Sequence, residues 1–152
     1  MAGVSTIARA LTVALVSLSL AGCMTTGGGY FSAASSSDAA NLNPQAAHAV
    51  AGDMVAQLAE HVGPGTGTIA LKSDGSAMSA ALEEQLRGWG YAVDPSASGQ
   101  GAIPLAYTVS AYEGQVLTRI STPSVELARS YTITELGAQP ASPISVMRRT
   151  TT

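Results

Sequence analysis

Two stretches of the chain have apolar residues at every third or fourth position, which is the repeat of a helix with one buried face. The first covers residues 44–62, and its apolar positions are Ala47, Val50, Ala51, Met54, Val55, Leu58 and Val62. Asn43 and Pro44 predict where it begins, because Asn caps a helix and Pro fits its first turn. The second covers residues 76–88, with Met78, Leu82, Leu86 and Trp89 on one side.

The last third of the chain changes from a helical repeat to strict alternation. Leu105, Tyr107 and Val109 alternate with small or polar residues, and the same pattern returns over 116–120 and 125–133. Glu113-Gly114 predicts a two-residue turn between the first two strands. This pattern indicates an antiparallel β-meander, followed by a loop over 137–143 and an edge strand over 144–147. Shorter strands are predicted at 66–71 and 91–93.

The order of these elements predicts an α+β fold of two layers. Two early helices pack on a mostly antiparallel sheet that ends in the β-meander. We expect the large aromatic residues of this part to pack in the core and across strands rather than to line a ligand site. They are Trp89, Tyr91, Tyr107 and Tyr131.

The N-terminal segment has the order of parts of a bacterial lipoprotein signal. An apolar run of about a dozen residues, too short for a membrane-spanning helix, ends in Leu20-Ala21-Gly22-Cys23. We expect residues 1–22 to be cleaved and Cys23, the only cysteine, to be acylated. The residue after the cysteine is Met24 and not an aspartate, which favours transfer of the lipoprotein to the outer membrane. We expect the domain to face the periplasm. The alternatives are a secretory signal with a coincidental cysteine, or a buried cysteine in a retained segment.

Residues 23–43 are interpreted as the lipid-anchored cysteine and a flexible tether, because Gly and Ser dominate the segment. The domain proper is then 44–149. Tyr30 and Phe31 are the apolar feature of the tether, and Phe31 is the only phenylalanine of the chain. They are a candidate anchor for docking to a partner protein, the alternative being an incidental exposed pair.

Charge excludes some classes of partner. Charged residues make up 11% of the chain, against an average of about 25%. The formal net charge is −3, and a nucleic-acid-binding protein needs a basic stripe instead. Arg148 and Arg149 form the one basic pair. They are either a frayed tail or a contact to an acidic partner or to lipid headgroups.

The sequence offers no catalytic, cofactor-binding or metal-binding constellation. His48 and His61 are 13 residues apart on one predicted helix, about 20 Å, which is too far to share a metal. The glycine-rich run at 63–67 lacks the lysine that a phosphate-binding loop requires. Glu83 and Glu84 are adjacent and diverge on the helix surface. We therefore expect no enzyme activity and no cofactor beyond the covalent lipid on Cys23.

Three segments resemble a known family: residues 81–93 (ALEEQLRGWGYAV), the meander from 107 to 131, and the tail 143–148 (PISVMR). On these segments, and on the lipoprotein signal and tether before them, the chain resembles the TrbH family of conjugal transfer lipoproteins. The resemblance implies an outer-membrane core component of a conjugative type IV secretion system for mating-pair formation.

The partners implied by this resemblance are other envelope subunits in a ring-shaped oligomer, and no direct nucleic acid. The rival interpretation, of another class, is a free periplasmic lipoprotein. Such a protein would bind a small ligand or act as a chaperone-like module.

Overall fold

A computed structural model of the protein describes residues 35–65 and 67–149. Two helices lie in this part, α1 (Pro44–Val62) and α2 (Ala77–Gly88). Its strands, in chain order, are β1 (Ser37–Asp38), β2 (Thr68–Leu71), β3 (Ala92–Val93), β4 (Ala102–Tyr112), β5 (Gln115–Ser121), β6 (Val125–Thr134), β7 (Gly137–Pro140) and β8 (Ser145–Arg148).

The strands form one mixed sheet in the order β3-β2-β4-β5-β6-β7, with β1 beside β4 and β8 beside β6. From β4 onwards the pairings are antiparallel, as the predicted meander requires. The pairings of β2 with β3, β2 with β4 and β1 with β4 are parallel. Parallel pairing of β2 and β3 follows from the crossover through α2, because a helix returns the chain in the same direction. The predicted α+β class is confirmed.

Helix α1 begins and ends where the sequence predicts. The Asn43 side chain accepts a hydrogen bond from the Ala46 N–H at 2.9 Å, and Pro44 occupies the first turn. Gly63 ends the helix with φ at +83°, a conformation that favours glycine. The buried side of α1 thus starts at a fixed residue, and it packs against α2 and against the sheet at β6 and β7.

The core lies between the helices and one face of the sheet. The hydrophobic effect drives this burial, because each of these side chains leaves water almost completely. Its largest fully buried side chains are Met54, Leu58, Ile69, Leu71, Met78, Leu82, Leu86, Leu105, Tyr107, Ile120, Leu127 and Tyr131.

Trp89 is not part of this core, and its predicted burial is wrong. Its side chain is 41% exposed, whereas Leu86 is fully buried and Tyr91 is 3% exposed. Helix α2 ends at Gly88, and Trp89 is its C-cap with φ −84° and ψ 2°. The helical repeat therefore stops one residue before it would bury Trp89, and Gly90, with φ at +89°, turns the chain so that Tyr91 points inward.

The turn between β4 and β5 is the predicted two-residue turn. Glu113 and Gly114 both have positive φ, +48° and +76°. Two consecutive residues of this kind make a turn whose twist matches that of the flanking strands. Tyr112 and Gln115 pair directly across it, so the register of the meander starts at this turn.

Two segments differ from the prediction. Residues 137–143 were expected to be a loop, but Gly137–Pro140 pairs with β6, since an edge strand tolerates Gly and Pro. Residues 35–43 were assigned to the tether, but Ser37–Asp38 pairs with β4 and Leu42 is 8% exposed. The folded domain therefore begins before residue 44.

Candidate docking edge and polar clusters

The structure describes two of the predicted site residues, Arg148 and Arg149. Arg148 is the last residue of β8, and Arg149 follows it. Cys23, Tyr30 and Phe31 lie outside the described residues, as do the predicted signal peptide and most of the tether. Neither described helix is both long and apolar enough to cross a membrane.

Arg148 lies at an open cavity of about 360 Å³ between the end of α1 and β8. Its guanidinium donates to His61 Nδ1 at 3.1 Å. Arginine has no acceptor atom, so His61 accepts with this nitrogen. Ser124, Val125 and Arg149 line the rest of the cavity. The arrangement presents a cationic group at an open cavity.

Arg149 is held by the sheet itself. Its Nη2 donates to Glu126 Oε2 at 2.7 Å and to Ser121 Oγ at 3.0 Å, and its Nη1 donates to the Thr122 carbonyl at 3.2 Å. Glu126 also accepts from Arg119 Nε at 3.2 Å. The interpretation of this basic pair as a frayed tail is wrong, because β8 and this ion-pair network fix both residues.

The two histidines lie apart, as their spacing predicts. His48 Nε2 accepts from the Gln85 amide at 2.9 Å, with a Glu84 oxygen 3.9 Å away. His61 contacts Arg148 at the other end of α1. Within residues 35–65 and 67–149, no three His, Cys, Asp or Glu side chains come close enough to hold a metal ion.

A partly buried polar cluster joins α1 to the sheet. Arg129 Nη1 donates to both oxygens of Asp53, at 3.0 and 3.1 Å, and the Tyr131 hydroxyl donates to Asp53 Oδ2 at 2.6 Å. Arg129 Nε donates to the Ser142 carbonyl at 2.8 Å. Burial raises the pKa of Tyr131, and its hydrogen bond to Asp53 raises it further. The cluster fixes the middle of α1 over β6.

A second cluster ties β1 to the loop before α2. Asp74 accepts from the Asp38 N–H at 2.8 Å, from the Ser76 N–H at 3.0 Å and from the Tyr107 hydroxyl. Burial acts to raise the Asp74 pKa, but hydrogen bonds from Ser76, Tyr107 and Asp38 outweigh it and lower the pKa to about 2. Burial raises the pKa of Tyr107 to about 12, and the bond to Asp74 adds to this. This cluster is structural, since each oxygen of Asp74 already accepts from within the domain.

Two shallow grooves flank the start of α1. One, of about 380 Å³, is lined by Pro44, Gln45, His48, Ala49 and Leu136. The other, of about 310 Å³, runs between α1 and α2 and shares Pro44 and His48. Leu136, at the tip of the β6–β7 hairpin, is 95% exposed. An exposed leucine beside open grooves is a feature of a contact surface rather than of a closed ligand pocket.

Comparison with known proteins gives two consistent matches. The model of the family "Conjugal transfer protein TrbH" matches residues 25–150. A "Probable conjugal transfer protein TrbH" of Sinorhizobium fredii (strain NBRC 101917 / NGR234) is 42% identical over 149 residues, which is 93% of this chain and 99% of that protein. The chain belongs to the TrbH family of conjugal transfer proteins. The predicted family is therefore confirmed. No solved structure matches the chain.

The match to the TrbH family includes both polar clusters and the C-terminal edge. Sequence reasoning missed the clusters because their members are far apart in the chain: Asp53 and Arg129 are 76 residues apart, and Asp74 and Tyr107 are 33 apart. The one available sign of these clusters was the placement of Tyr107 and Tyr131 at buried strand positions, because a buried hydroxyl requires a hydrogen-bond partner.

Proposed function

We propose that this TrbH-family protein is a lipid-anchored structural component of a conjugative type IV secretion system. It belongs to the outer-membrane core complex and supports plasmid DNA transfer by assembling with other envelope subunits. Membership of the conjugal transfer family over residues 25–150 carries this proposal. The family's description names a role in conjugal transfer and no enzyme class, which supports an architectural role.

The anchor in this proposal is the acylated Cys23, which follows the apolar run and Leu20-Ala21-Gly22. Each buried CH₂ of an acyl chain contributes about 0.8 kcal/mol, so more than one chain holds a protein firmly to a membrane. The protein then sits on the outer membrane with its domain in the periplasm. It uses no cofactor besides this covalent lipid.

The charges of the described domain support assembly with proteins rather than contact with DNA. Four arginines each form an ion pair with a carboxylate of the same domain. The pairs are Arg87 with Glu83, Arg119 with Glu126, Arg129 with Asp53, and Arg149 with Glu126. These pairs leave no basic stripe that could neutralise a run of phosphates. The polar side chains hold the fold together, and the protein acts through its surfaces. Head-to-tail contacts between copies would close a ring, which requires two different contact surfaces.

The test is the frequency of plasmid transfer from a donor strain that lacks this gene. The wild-type protein should restore transfer, and Cys23→Ser should leave the protein in the soluble periplasmic fraction and transfer at the level of the deletion strain. Glu60→Ala is the matched control on the exposed side of α1, away from both grooves, and should restore transfer fully. Full transfer by the deletion strain would contradict the proposed role, and tight membrane attachment of Cys23→Ser would contradict the anchor.

A further inference from the structure

Within residues 35–65 and 67–149, strand β8 pairs with β6 on one side of its backbone and has no neighbouring strand on the other. Arg149 N–H donates to the Ser124 carbonyl at 2.8 Å, and the pairs continue as Val125 with Arg148 and Glu126 with Met147. In an antiparallel pair, opposite residues alternate between those that exchange hydrogen bonds and those that do not. Met147 therefore bonds to β6, whereas the N–H and C=O groups of Val146 and Arg148 point away from it. These four groups can pair with another strand.

The other borders of the described sheet are better protected. β1 and β3 have two residues each, which is too short for a stable ladder. β7 ends in Pro140, which has no N–H, and α1 packs against it. An added Cβ at Gly137 would lie 3.4 Å from the Gln45 carbonyl and from Ala49 of α1. β8 carries no such protection, and all four of its residues are exposed.

The side chains of this edge favour a particular chemistry. Val146 and Met147 are 38% and 46% exposed, which gives an incoming strand apolar surface to cover. Arg148 contacts the ring of His61 and no carboxylate in the described residues, and the nearby Glu126 is already paired with Arg119 and Arg149. An incoming strand therefore meets an exposed positive charge beside two apolar side chains.

We propose that β8 is a site of β-strand addition for an extended segment of another envelope protein. The segment carries a carboxylate opposite Arg148 and an apolar side chain against Val146. A second copy of this chain is a poor occupant. Two β8 strands paired around a two-fold axis would place two copies of Arg148 in one short seam, and like charges on neighbouring strands are destabilising. The identity of the partner as a conjugation subunit rests on the proposed function.

The test is site-specific photocrosslinking of the full-length protein in donor cells. Val146→p-benzoylphenylalanine places the probe on the open edge, and Tyr112→p-benzoylphenylalanine is the matched control, because Tyr112 is 60% exposed and far from β8 at the β4–β5 turn. We expect one adduct from position 146, with its crosslinked peptide mapped by mass spectrometry to an extended acidic segment of an envelope protein. Position 112 should not give this adduct.

Charge reversal then tests the recognition chemistry. Arg148→Glu should lower the adduct yield on the order of tenfold, whereas Arg148→Lys should largely keep it. Changing the mapped acidic residue of the partner to a basic one should restore the yield of the Arg148→Glu protein. Lys72→Glu makes the same change in net charge at the end of β2 and should have no effect. Val146→Pro removes an N–H that β6 does not use, and it should prevent formation of a complex that copurifies with the wild-type protein.

Several outcomes would overturn this inference. They are an adduct that contains only a second copy of the chain, an adduct that Arg148→Glu leaves unchanged, or no adduct from position 146. The crosslink reports binding and not DNA transfer, so its failure is distinguishable from that of the proposed function. Normal transfer by the deletion strain together with a charge-dependent adduct would keep the docking edge and refute the conjugal role.

Discussion

Replacing Asp53 with Ala should destabilise the domain by about 3 kcal/mol. The substitution removes the acceptor of three hydrogen bonds, two from Arg129 and one from Tyr131. The Arg129 and Asp53 side chains are 20% and 26% exposed. Their pair lies between exposed pairs, worth about 0–1 kcal/mol, and fully buried pairs, whose breakage costs about 3–5 kcal/mol. We assign it about 2 kcal/mol, and the unsatisfied Tyr131 hydroxyl adds about 1 kcal/mol.

The assay is thermal unfolding of the purified full-length protein, followed by circular dichroism. For a folded part of about 115 residues, an unfolding entropy of about 2.1 cal/mol/K per residue converts 3 kcal/mol into a fall in Tm of about 12 °C. Glu83→Ala is the matched control, because it breaks the exposed pair with Arg87, with side chains 44% and 58% exposed. It should cost less than about 0.5 kcal/mol.

A double-mutant cycle of Asp53→Ala and Arg129→Ala tests the reasoning itself. The two side chains are in direct contact, so their effects should not add, and a coupling of about 1.5 kcal/mol or more is expected. A coupling near zero, or an Asp53→Ala protein as stable as Glu83→Ala, would mean that this cluster does not hold α1 to the sheet.

Three further predictions concern the turns, the end of α2 and the Asp74 cluster. Gly114→Ala should lower the free energy of unfolding by about 1 kcal/mol, because φ is +76° at this position. Gly88→Ala should instead raise it by up to about 1 kcal/mol, because residue 88 is helical and an added Cβ there meets open space. Leu86→Ala should cost about 2–5 kcal/mol and Trp89→Ala markedly less, and equal falls in Tm would refute the exposed position of Trp89. The pKa of Asp74 is about 2 in the folded protein and 3.8 ordinarily, so the stability it provides is present above pH 3.8 and is lost as pH falls towards 2. The Tm difference between wild type and Asp74→Asn should therefore narrow over that range, and a constant difference would contradict the assignment.

The sequence was sufficient to predict the features that depend only on residues close together in the chain. The cap at Asn43, the stop at Gly63 and the turn at Glu113-Gly114 depend on neighbours in the chain, and each appears as predicted. The short strands β1 and β7 have weak side-chain patterns, because their structure comes from backbone pairing with β4 and β6. No local pattern reports that kind of pairing.

The candidate site was predictable only in part. Arg148 and Arg149 stand out in a chain with few charges, but the sequence could not separate their environments. One faces an open cavity beside His61 and the other binds Glu126, because these partners come from α1 and β6. The same limit applies to Trp89, where the helix ends one residue before the repeat would have buried the side chain.

The central claim is that the protein works as a subunit of a membrane-anchored conjugation complex. It is tested most directly by gentle detergent extraction of a tagged full-length protein from donor envelopes, followed by sizing and mass spectrometry. We expect a large particle that contains several copies of this chain and other conjugation subunits. A small monodisperse species without partners would contradict the claim and would favour a free periplasmic lipoprotein that binds a ligand or acts as a chaperone.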